Sequence, residues 1–264
     1  KLFQYANTAR FAYNWALARE QENYKNGGKF ISDGDLRKEF TQLKRTFEYD
    51  WLNDISNNVT KQAIKDACEA YRDLFKGYTK FQRSTSRKHS VPKFYQDNVK
   101  IQFTDTHVKV EGFATSKKKN KQKINWIKLA EHGHIPTNAK YMNPRIKYDG
   151  INWWITVGVE YEDSTSLPSN DGIGIDLGIK DLAICSDKYE YKNINKTQKV
   201  KKLEKRKRRL QRSISRRYEK NKKGGSYCKT SNIIKREKEL LKLNHRLTNI
   251  HQNYLHQTTS EIIN

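Results

Sequence analysis

The segment from Gly172 to Ile179, GIGIDLGI, places a large apolar side chain at every second position. Because the side chains of a strand alternate between its two faces, this spacing predicts a β-strand with one fully apolar face. We expect that face to pack in a core, and its members are Ile173, Ile175, Leu177 and Ile179. A fold that contains this segment can therefore pack one side of its sheet in a core.

The opposite face of the same strand carries one carboxylate, Asp176, between Gly174 and Gly178. Since nothing bulky flanks Asp176, a metal ion or a phosphate could approach it, and Mg²⁺ prefers carboxylate oxygens. An aspartate between glycines can instead cap a turn, and one carboxylate does not make a two-metal site. The pattern leaves both interpretations open. The following DLAICSD predicts a second, paired strand, whose Asp181 and Asp187 are typical of turns.

The first 81 residues show a helical period. An aromatic-rich helix is expected to stop at Asn26-Gly27-Gly28, and a second helix follows Ser32. A third is predicted from about Ser56, with apolar side chains inward and Thr60 on its polar side.

From about residue 90 to 162, apolar residues recur at every second position, which is the period of a β-strand. Val99, Ile101 and Phe103 alternate with polar residues, and NPRIKYDGINWWITVGVEY predicts a hairpin that turns at Asp149-Gly150. This region therefore predicts a small antiparallel barrel or sandwich.

Two long helices are predicted at the end of the chain. From Lys199 to Lys223, 14 of 25 residues are Lys or Arg, against two acids. An apolar stripe persists nevertheless, through Leu203, Leu210, Ile214 and Tyr218. After KNKKGGSYCKTSN a heptad pattern follows at Ile233, Leu240, Leu247 and Tyr254, with Leu243 and Ile250 beside it. The pair predicts a helical hairpin that packs on itself or on a neighbour.

The formal net charge of +24 indicates a polyanionic partner. Residues 171–264 carry 24 Lys/Arg and 10 Asp/Glu, a surplus of 14. No apolar run approaches the ~20 residues of a membrane-spanning helix, so nucleic acid is favoured over a membrane. The three cysteines form no CxxC pair, so zinc is not supported, and they suit a reducing cytosol.

GIGIDLGIKDLAICSD resembles the first RuvC motif of the TnpB family, the transposon-encoded RNA-guided nucleases related to compact type V CRISPR effectors. The resemblance extends in the expected order over nearly the whole chain. Its other segments are ARFAYNWAL, QAIKDACEAYRDLFKGY, HSVPKFY, NWWITVGVEYE, KLEKRKRRLQRSISRR and the stretch from Ser231 to Asn264.

The resemblance implies an α+β multidomain protein. Its expected parts are a helical recognition lobe (residues 1–85), an oligonucleotide-binding-like β-barrel wedge (86–167) and the beginning of an RNase H-like RuvC domain with a basic helical hairpin (168–264). Asp176 falls on the family's first catalytic carboxylate and is expected to hold Mg²⁺. The family also uses a Glu, a second Asp and usually a zinc ribbon from later motifs; Glu237, Glu239 and Glu261 lack the strand context and are expected to be surface charges of a helix.

Three functions follow from these observations. The first is an RNA-guided DNA endonuclease whose later motifs are absent from this sequence, and the second is a naturally shortened, nuclease-inactive, RNA-guided transcriptional repressor. The third is a guide-free nucleic-acid-binding protein, which leaves the GIDLG strand unexplained. The partners expected for the first two are a guide RNA and target double-stranded DNA, without a membrane, in the bacterial cytoplasm at the nucleoid.

Two groups of residues are predicted to contact nucleic acid. By resemblance of the segment, the flanking DNA motif would be read by Ser56, Asn57, Thr60, Lys61 and Lys65, although Ser56 and Asn57 equally suit helix capping. The residues expected on RNA are Lys93, Tyr95, Lys205, Arg206, Arg208, Arg209, Arg212 and Arg216. Core packing is the alternative for Tyr95, and a solvated basic face is the alternative for the arginine-rich helix.

Overall fold

The computed structural model describes residues 1–80, 83–87, 90–112, 126–160 and 172–263, and its chain forms two compact units, residues 1–162 and 163–264. The predicted linker DSTSLPSND and Phe81 lie outside the described residues. No helix of the described part is long and apolar enough to cross a membrane.

The first unit begins with three α-helices at the predicted places and a 3-10 helix that was not predicted. They are α1 (Leu2–Lys25), α2 (Asp33–Leu43), a 3-10 helix (Phe47–Asp54) and α3 (Asn57–Phe75). The expected stop after α1 is confirmed by Gly27, whose φ of 74° favours glycine. Ser32 caps α2 by accepting a hydrogen bond from the Asp35 amide at 3.1 Å.

The remaining described residues of the first unit form two three-stranded antiparallel sheets. Their strands are β1 (Lys93–Tyr95), β2 (Gln102–Phe103), β3 (His107–Lys109), β4 (Trp126–Lys128), β5 (Tyr141–Tyr148) and β6 (Trp153–Val159). The sheet orders are β1-β5-β6 and β2-β3-β4. An α+β fold is thus confirmed, but a closed barrel is not found among the strands of the described ranges.

Two details of the strand prediction are wrong. Val99 is 87% exposed because residues 97–101 form a turn around the Asp97 carboxylate, whose Oδ1 accepts from the Val99 amide at 3.0 Å. The β5–β6 hairpin turns at Gly150-Ile151, one residue later than predicted. Gly150 has a φ of 97°, and the Asp149 amide donates to the Asn152 carbonyl at 3.1 Å to close the turn.

Helices and strands of the first unit share one aromatic-rich core. Tyr5 of α1 and Phe94 of β1 are 1% and 2% exposed, and their ring centroids lie 5.3 Å apart. Phe94 also contacts Trp153 of β6 at 6.2 Å. The helical segment and the first strands therefore stabilise each other directly.

The second unit contains a three-stranded antiparallel sheet, β7 (Ile175–Leu177), β8 (Asp181–Cys185) and β9 (Glu190–Lys192), in that order. Ala183 and Cys185 share one face of β8, and both are buried. The expected core face of β7 is wrong for the described residues, in which Ile175 is 45% and Leu177 75% exposed. Alternation specifies which side chains share a face, and it does not specify what covers that face.

The predicted helical hairpin is confirmed as α4 (Gln198–Lys220) and α5 (Ser231–Ile263). The segment that joins them contains a short β-ribbon, β10 (Lys222–Lys223) with β11 (Ser226–Tyr227). The buried residues of the apolar stripes are Leu210 and Ile214 of α4 and Ile233, Leu243 and Leu247 of α5.

Candidate nucleic-acid interface

The first turn of α3 holds most of the residues predicted to contact DNA. Ser56 is the N-cap of α3, and its Oγ accepts a hydrogen bond from the Asn58 amide at 3.2 Å. Asn57 is exposed, and its Oδ1 accepts from Lys44 Nζ at 2.6 Å. The capping role weighed for Ser56 is therefore present in the structure, and Asn57 is tied to α2.

Further along α3, the predicted residues differ in exposure. Lys61 and Lys65 are exposed, and Lys65 Nζ lies 3.8 Å from Glu69 Oε1. Thr60, predicted on the polar side, is only 2% exposed. Its hydroxyl donates to the Asn57 carbonyl at 3.0 Å, and this local bond lets a threonine turn inward without an unsatisfied group.

A cleft of about 460 Å³ connects this helix with the first strand, since Lys61, Lys65 and Tyr95 all line it. Residues predicted separately as DNA-binding and RNA-binding thus share one surface. Lys93, on the other hand, is exposed at the start of β1 and does not line this cleft.

Tyr95 is half-buried, as its alternative role in packing requires. Its hydroxyl donates to Asn98 Oδ1 at 3.0 Å, and burial raises the pKa of its phenol. The guanidinium of Arg145 lies 5.8 Å from the ring centroid, in cation–π range. One face of the Tyr95 ring is therefore already engaged within the chain.

Arg145 also forms the two-pronged ion pair that links β5 to α3. Its Nη2 donates to Asp66 Oδ1 at 2.9 Å, and its Nη1 donates to Asp66 Oδ2. The hydrogen bonds to Asp66 raise the pKa of Arg145. Sequence reasoning missed this pair because its members lie 79 positions apart and neither breaks a local pattern.

The six predicted cations of α4, Lys205, Arg206, Arg208, Arg209, Arg212 and Arg216, are all exposed. Arg206 donates to Glu239 Oε1 of α5 at 2.8 Å. The other five make no ion pair with any described residue. Arg208, Arg212 and Arg216 follow one another at four-residue steps, so about 6 Å separates successive members along the helix axis. This row is called the α4 cation stripe below, together with Lys205 and Arg209.

Hydrogen bonds to Glu237 of α5 connect the end of α4 and the joining segment to that helix. Tyr218 of α4 donates to Glu237 Oε1 at 2.6 Å, and Lys229 Nζ donates to Glu237 Oε2 at 2.8 Å. Burial acts to raise the pKa of Glu237, but the bonds from Lys229 and Tyr218 outweigh it and lower the pKa. Glu237 and Glu239 therefore connect α4 and α5. The sequence predicted them only as surface charges of a helix and did not predict these contacts.

Asp176 lies in the middle of β7, exposed and opposite Ile184 of β8. A side chain at Gly174 would meet Ser186 only at ordinary contact distance, 3.6 Å, so this side of the strand is open. At Gly178 a Cβ would come 3.1 Å from the Asp181 carbonyl, so close packing explains why a glycine stands there.

The described residues contain no group of three His, Cys, Asp or Glu placed to hold a metal ion. Asp176 therefore lies exposed on the strand without a second and third carboxylate, histidine or cysteine of the described residues beside it.

Comparisons with known proteins match this arrangement to one family. Residues 156–264, with Asp176 and both helices of the hairpin, match the OrfB_IS605 model described as "Probable transposase", and residues 1–29 match HTH_OrfB_IS605, a helix-turn-helix domain. "Putative RNA-guided DNA endonuclease InsQ" of Escherichia coli (strain K12) is 27% identical over 261 residues, 98% of this chain and 58% of that protein. The chain thus spans less than two thirds of this relative.

Among solved structures, a chain of "Cryo-EM structure of CRISPR-Cas12f Ternary Complex" aligns at 12% identity and a TM-score of 0.39. The alignment covers 99% of this chain and 59% of that one.

Proposed function

Because the chain belongs to the TnpB family of transposon-encoded proteins, we propose that it is an RNA-guided DNA-binding protein with a RuvC-type nuclease strand. It binds a guide RNA and complementary double-stranded DNA beside a short flanking motif. Its relative InsQ bears the description "Putative RNA-guided DNA endonuclease".

The observation that carries this proposal is the α4 cation stripe. In RNA-guided recognition, base pairing reads the sequence while the protein supplies a positively charged surface for the backbones. Five neighbouring cations without acidic partners among the described residues repel one another unless a polyanion neutralises them. The stripe therefore suits the phosphates of a guide RNA or of its hybrid with DNA.

The flanking DNA motif is assigned to the first turns of α3. Within the predicted set, Asn57, Lys61 and Lys65 are exposed, whereas the hydroxyls of Ser56 and Thr60 are used in the helix's own hydrogen bonds. Amide groups can read base edges and lysines hold phosphates, so the exposed three are the stronger candidates.

Asp176 is assigned as one carboxylate of a nuclease centre. By the family resemblance, a Glu and a second Asp from later motifs would complete the ligand set. Bound Mg²⁺ would activate water at a DNA phosphodiester. The described residues do not form that site alone, and the residue that we assign to it among them is Asp176, on an open strand face.

The test is Mg²⁺-dependent cleavage of a guide-matched plasmid by the full native protein, with RNA from the purified protein sequenced first. We expect a discrete co-purifying RNA, cleavage only of matched plasmid, and complete loss of cleavage in Asp176→Asn with binding retained. Asp187→Asn is the matched control, because Asp187 belongs to the β8–β9 turn, where its Oδ1 accepts from the Tyr189 amide at 3.2 Å.

Each alternative has its own result. Guided binding without cleavage by the native protein would favour the repressor. Binding that needs no guide and ignores complementarity would overturn the proposal in favour of a general nucleic-acid-binding protein.

A further inference from the structure

A second cleft, of about 440 Å³, lies between α2, the 3-10 helix and α3. Four cations line it, Arg37, Lys44, Arg45 and Lys61, against one acid, Asp50. Arg37 is already paired with Asp33. The cleft therefore carries an excess of positive charge even after this pair is discounted.

Lys44 is the unusual member of this lining, because it is only 7% exposed. Its Nζ donates one hydrogen bond, to the neutral amide oxygen of Asn57 at 2.6 Å, and lies 5.7 Å from the Phe40 ring centroid. No described carboxylate pairs with it. Burial lowers the pKa of the Lys44 ammonium, and the charge of Lys61 lowers it further. A buried ammonium is costly unless an anion accompanies it.

The start of α3 adds a third contribution to the same cleft. A helix N-terminus carries a partial positive charge and is usually compensated by acids in the first turn. The first turn of α3 contains no acid, as in α1, α4 and α5, and Ser56 caps it only at the Asn58 amide. Asn57, Thr60 and Lys61 of this turn line the cleft beside Lys44. The basic lining and the buried Lys44 without a carboxylate partner among the described residues thus favour one anion at this place, and the partial charge at the start of α3 adds to them.

We propose that this cleft binds a phosphate group, and that its natural occupant is a backbone phosphodiester of the target DNA duplex. Lys44 and Lys61 donate to the phosphate oxygens, and the N-terminus of α3 points at them. This assignment of the ligand rests on the proposed function, because Asn57 and Lys61 belong to the face assigned to flanking DNA. The cavity itself is independent of it.

The experiment follows the ε-methylene resonance of Lys44 by NMR in the full chain, while inorganic phosphate or a short DNA duplex is added. We expect both to raise the pKa of Lys44, because an anion stabilises its charged form. In Lys44→Met, the slope of log K for duplex binding against log salt becomes shallower by about 0.9, the equivalent of one phosphate contact. Lys38→Met is the control, since Lys38 lies on α2 with its side chain 81% exposed and outside the cleft.

A second variant tests the site without removing the lysine. Asn57→Asp gives Lys44 a built-in carboxylate, so the phosphate response of Lys44 should disappear while the helices stay folded. This variant remains informative if Lys44→Met does not fold.

The results of these titrations distinguish a DNA phosphodiester, free phosphate and no anion as the occupant of the cleft. A response to inorganic phosphate with an unchanged duplex slope would overturn the DNA assignment and mark a site for free phosphate. No response to either probe would overturn the phosphate site and make Lys44 a structural link between α2 and α3. If the unmodified protein binds guide-matched DNA, the proposed function stands whichever of these two results is obtained. If the unmodified protein does not bind guide-matched DNA, the proposed function is refuted. The phosphate titration then still shows whether the cleft binds phosphate.

Discussion

The two units of the chain differ in how many apolar side chains they bury and in how they arrange their cations. In residues 1–162, Tyr5 and Phe94 are almost fully buried, and even the carboxylate of Glu20 is 1% exposed. In the described part of the second unit, Leu177 and Ile179 are 75% and 89% exposed, and five cations of α4 have no acidic partner. The first unit thus contains most of the buried side chains of the described residues, and the second presents a row of cations outward.

This contrast separates stability from binding. Where a side chain is packed on all sides, its replacement should change the free energy of unfolding. Where charges lie in an exposed row without partners, their replacement should change affinity for a polyanion and its salt dependence. Substitutions in the core of the first unit should therefore change the free energy of unfolding. Substitutions in the cation row of the second unit should change the affinity for nucleic acid.

The largest expected effect comes from neutralising the α4 cation stripe. Gln has nearly the helix propensity of Lys and Arg, so the helix should persist in a variant with five substitutions. The slope of log K against log salt for guide RNA should become shallower by about 0.7–0.9 for each phosphate that the protein no longer neutralises, up to about 3.5–4.5 units. The positions to change to Gln are Lys205, Arg208, Arg209, Arg212 and Arg216, with Arg206 kept for its bond to Glu239.

The control for this variant removes the same net charge from the first unit. The exposed lysines to change to Gln are Lys25, Lys29, Lys38, Lys128 and Lys140. Fluorescence anisotropy at several salt concentrations measures both proteins. Equal changes in the two slopes would show that net charge alone attracts the RNA, and the contrast between the units would disappear.

The next effect concerns stability. Phe94→Ala removes a ring that contacts Tyr5 and Trp153, and it should cost about 3–5 kcal/mol of unfolding free energy. Leu177→Ala, also an apolar truncation, should change it by no more than about 0.5 kcal/mol, because Leu177 is exposed. Urea unfolding followed by circular dichroism measures both. A cost at Leu177 similar to that at Phe94 would mean that its side chain is covered in solution.

The sequence predicted elements well where local chemistry decides them. The caps at Ser32 and Ser56, the glycine stop after α1 and the stripes of the α4–α5 hairpin all follow from short-range rules. The exposed cations of α4 were equally predictable, since a dense run of like charge can only lie at a surface.

Long-range contacts were not predictable in this way. The ion pair of Arg145 with Asp66 and the bond of Lys44 to Asn57 join elements that only the fold brings together. Thr60 turned inward because a hydroxyl can be satisfied by its own helix, which makes its polarity a poor guide to exposure. The cleft around Lys44 was missed for the same reason: its lysine resembles any surface lysine until its burial is known.

The smallest effect tests the buried carboxylate of the first unit. Glu20 Oε2 accepts from the Ile31 amide at 3.3 Å, while Oε1 has no hydrogen-bond partner among the described residues. Burial raises the pKa of Glu20, and the Ile31 bond only partly opposes this. The folded state therefore favours the protonated form. Its stabilising contribution is complete below the pKa of the unfolded chain, and it is lost as the pH rises through the higher pKa of the folded chain.

Glu20→Gln should consequently stabilise the protein at pH 7 by about 1–2 kcal/mol, because it removes a buried charge and keeps an oxygen for the Ile31 amide. The gain should shrink as the pH falls toward 4, where the wild-type carboxyl is itself neutral in the folded state. Unfolding by urea at a series of pH values measures this dependence, with the exposed Glu22→Gln as the control. A gain that did not depend on pH would show that Glu20 is not held in an environment that disfavours its charge, and it would remove the clearest electrostatic difference between the two units.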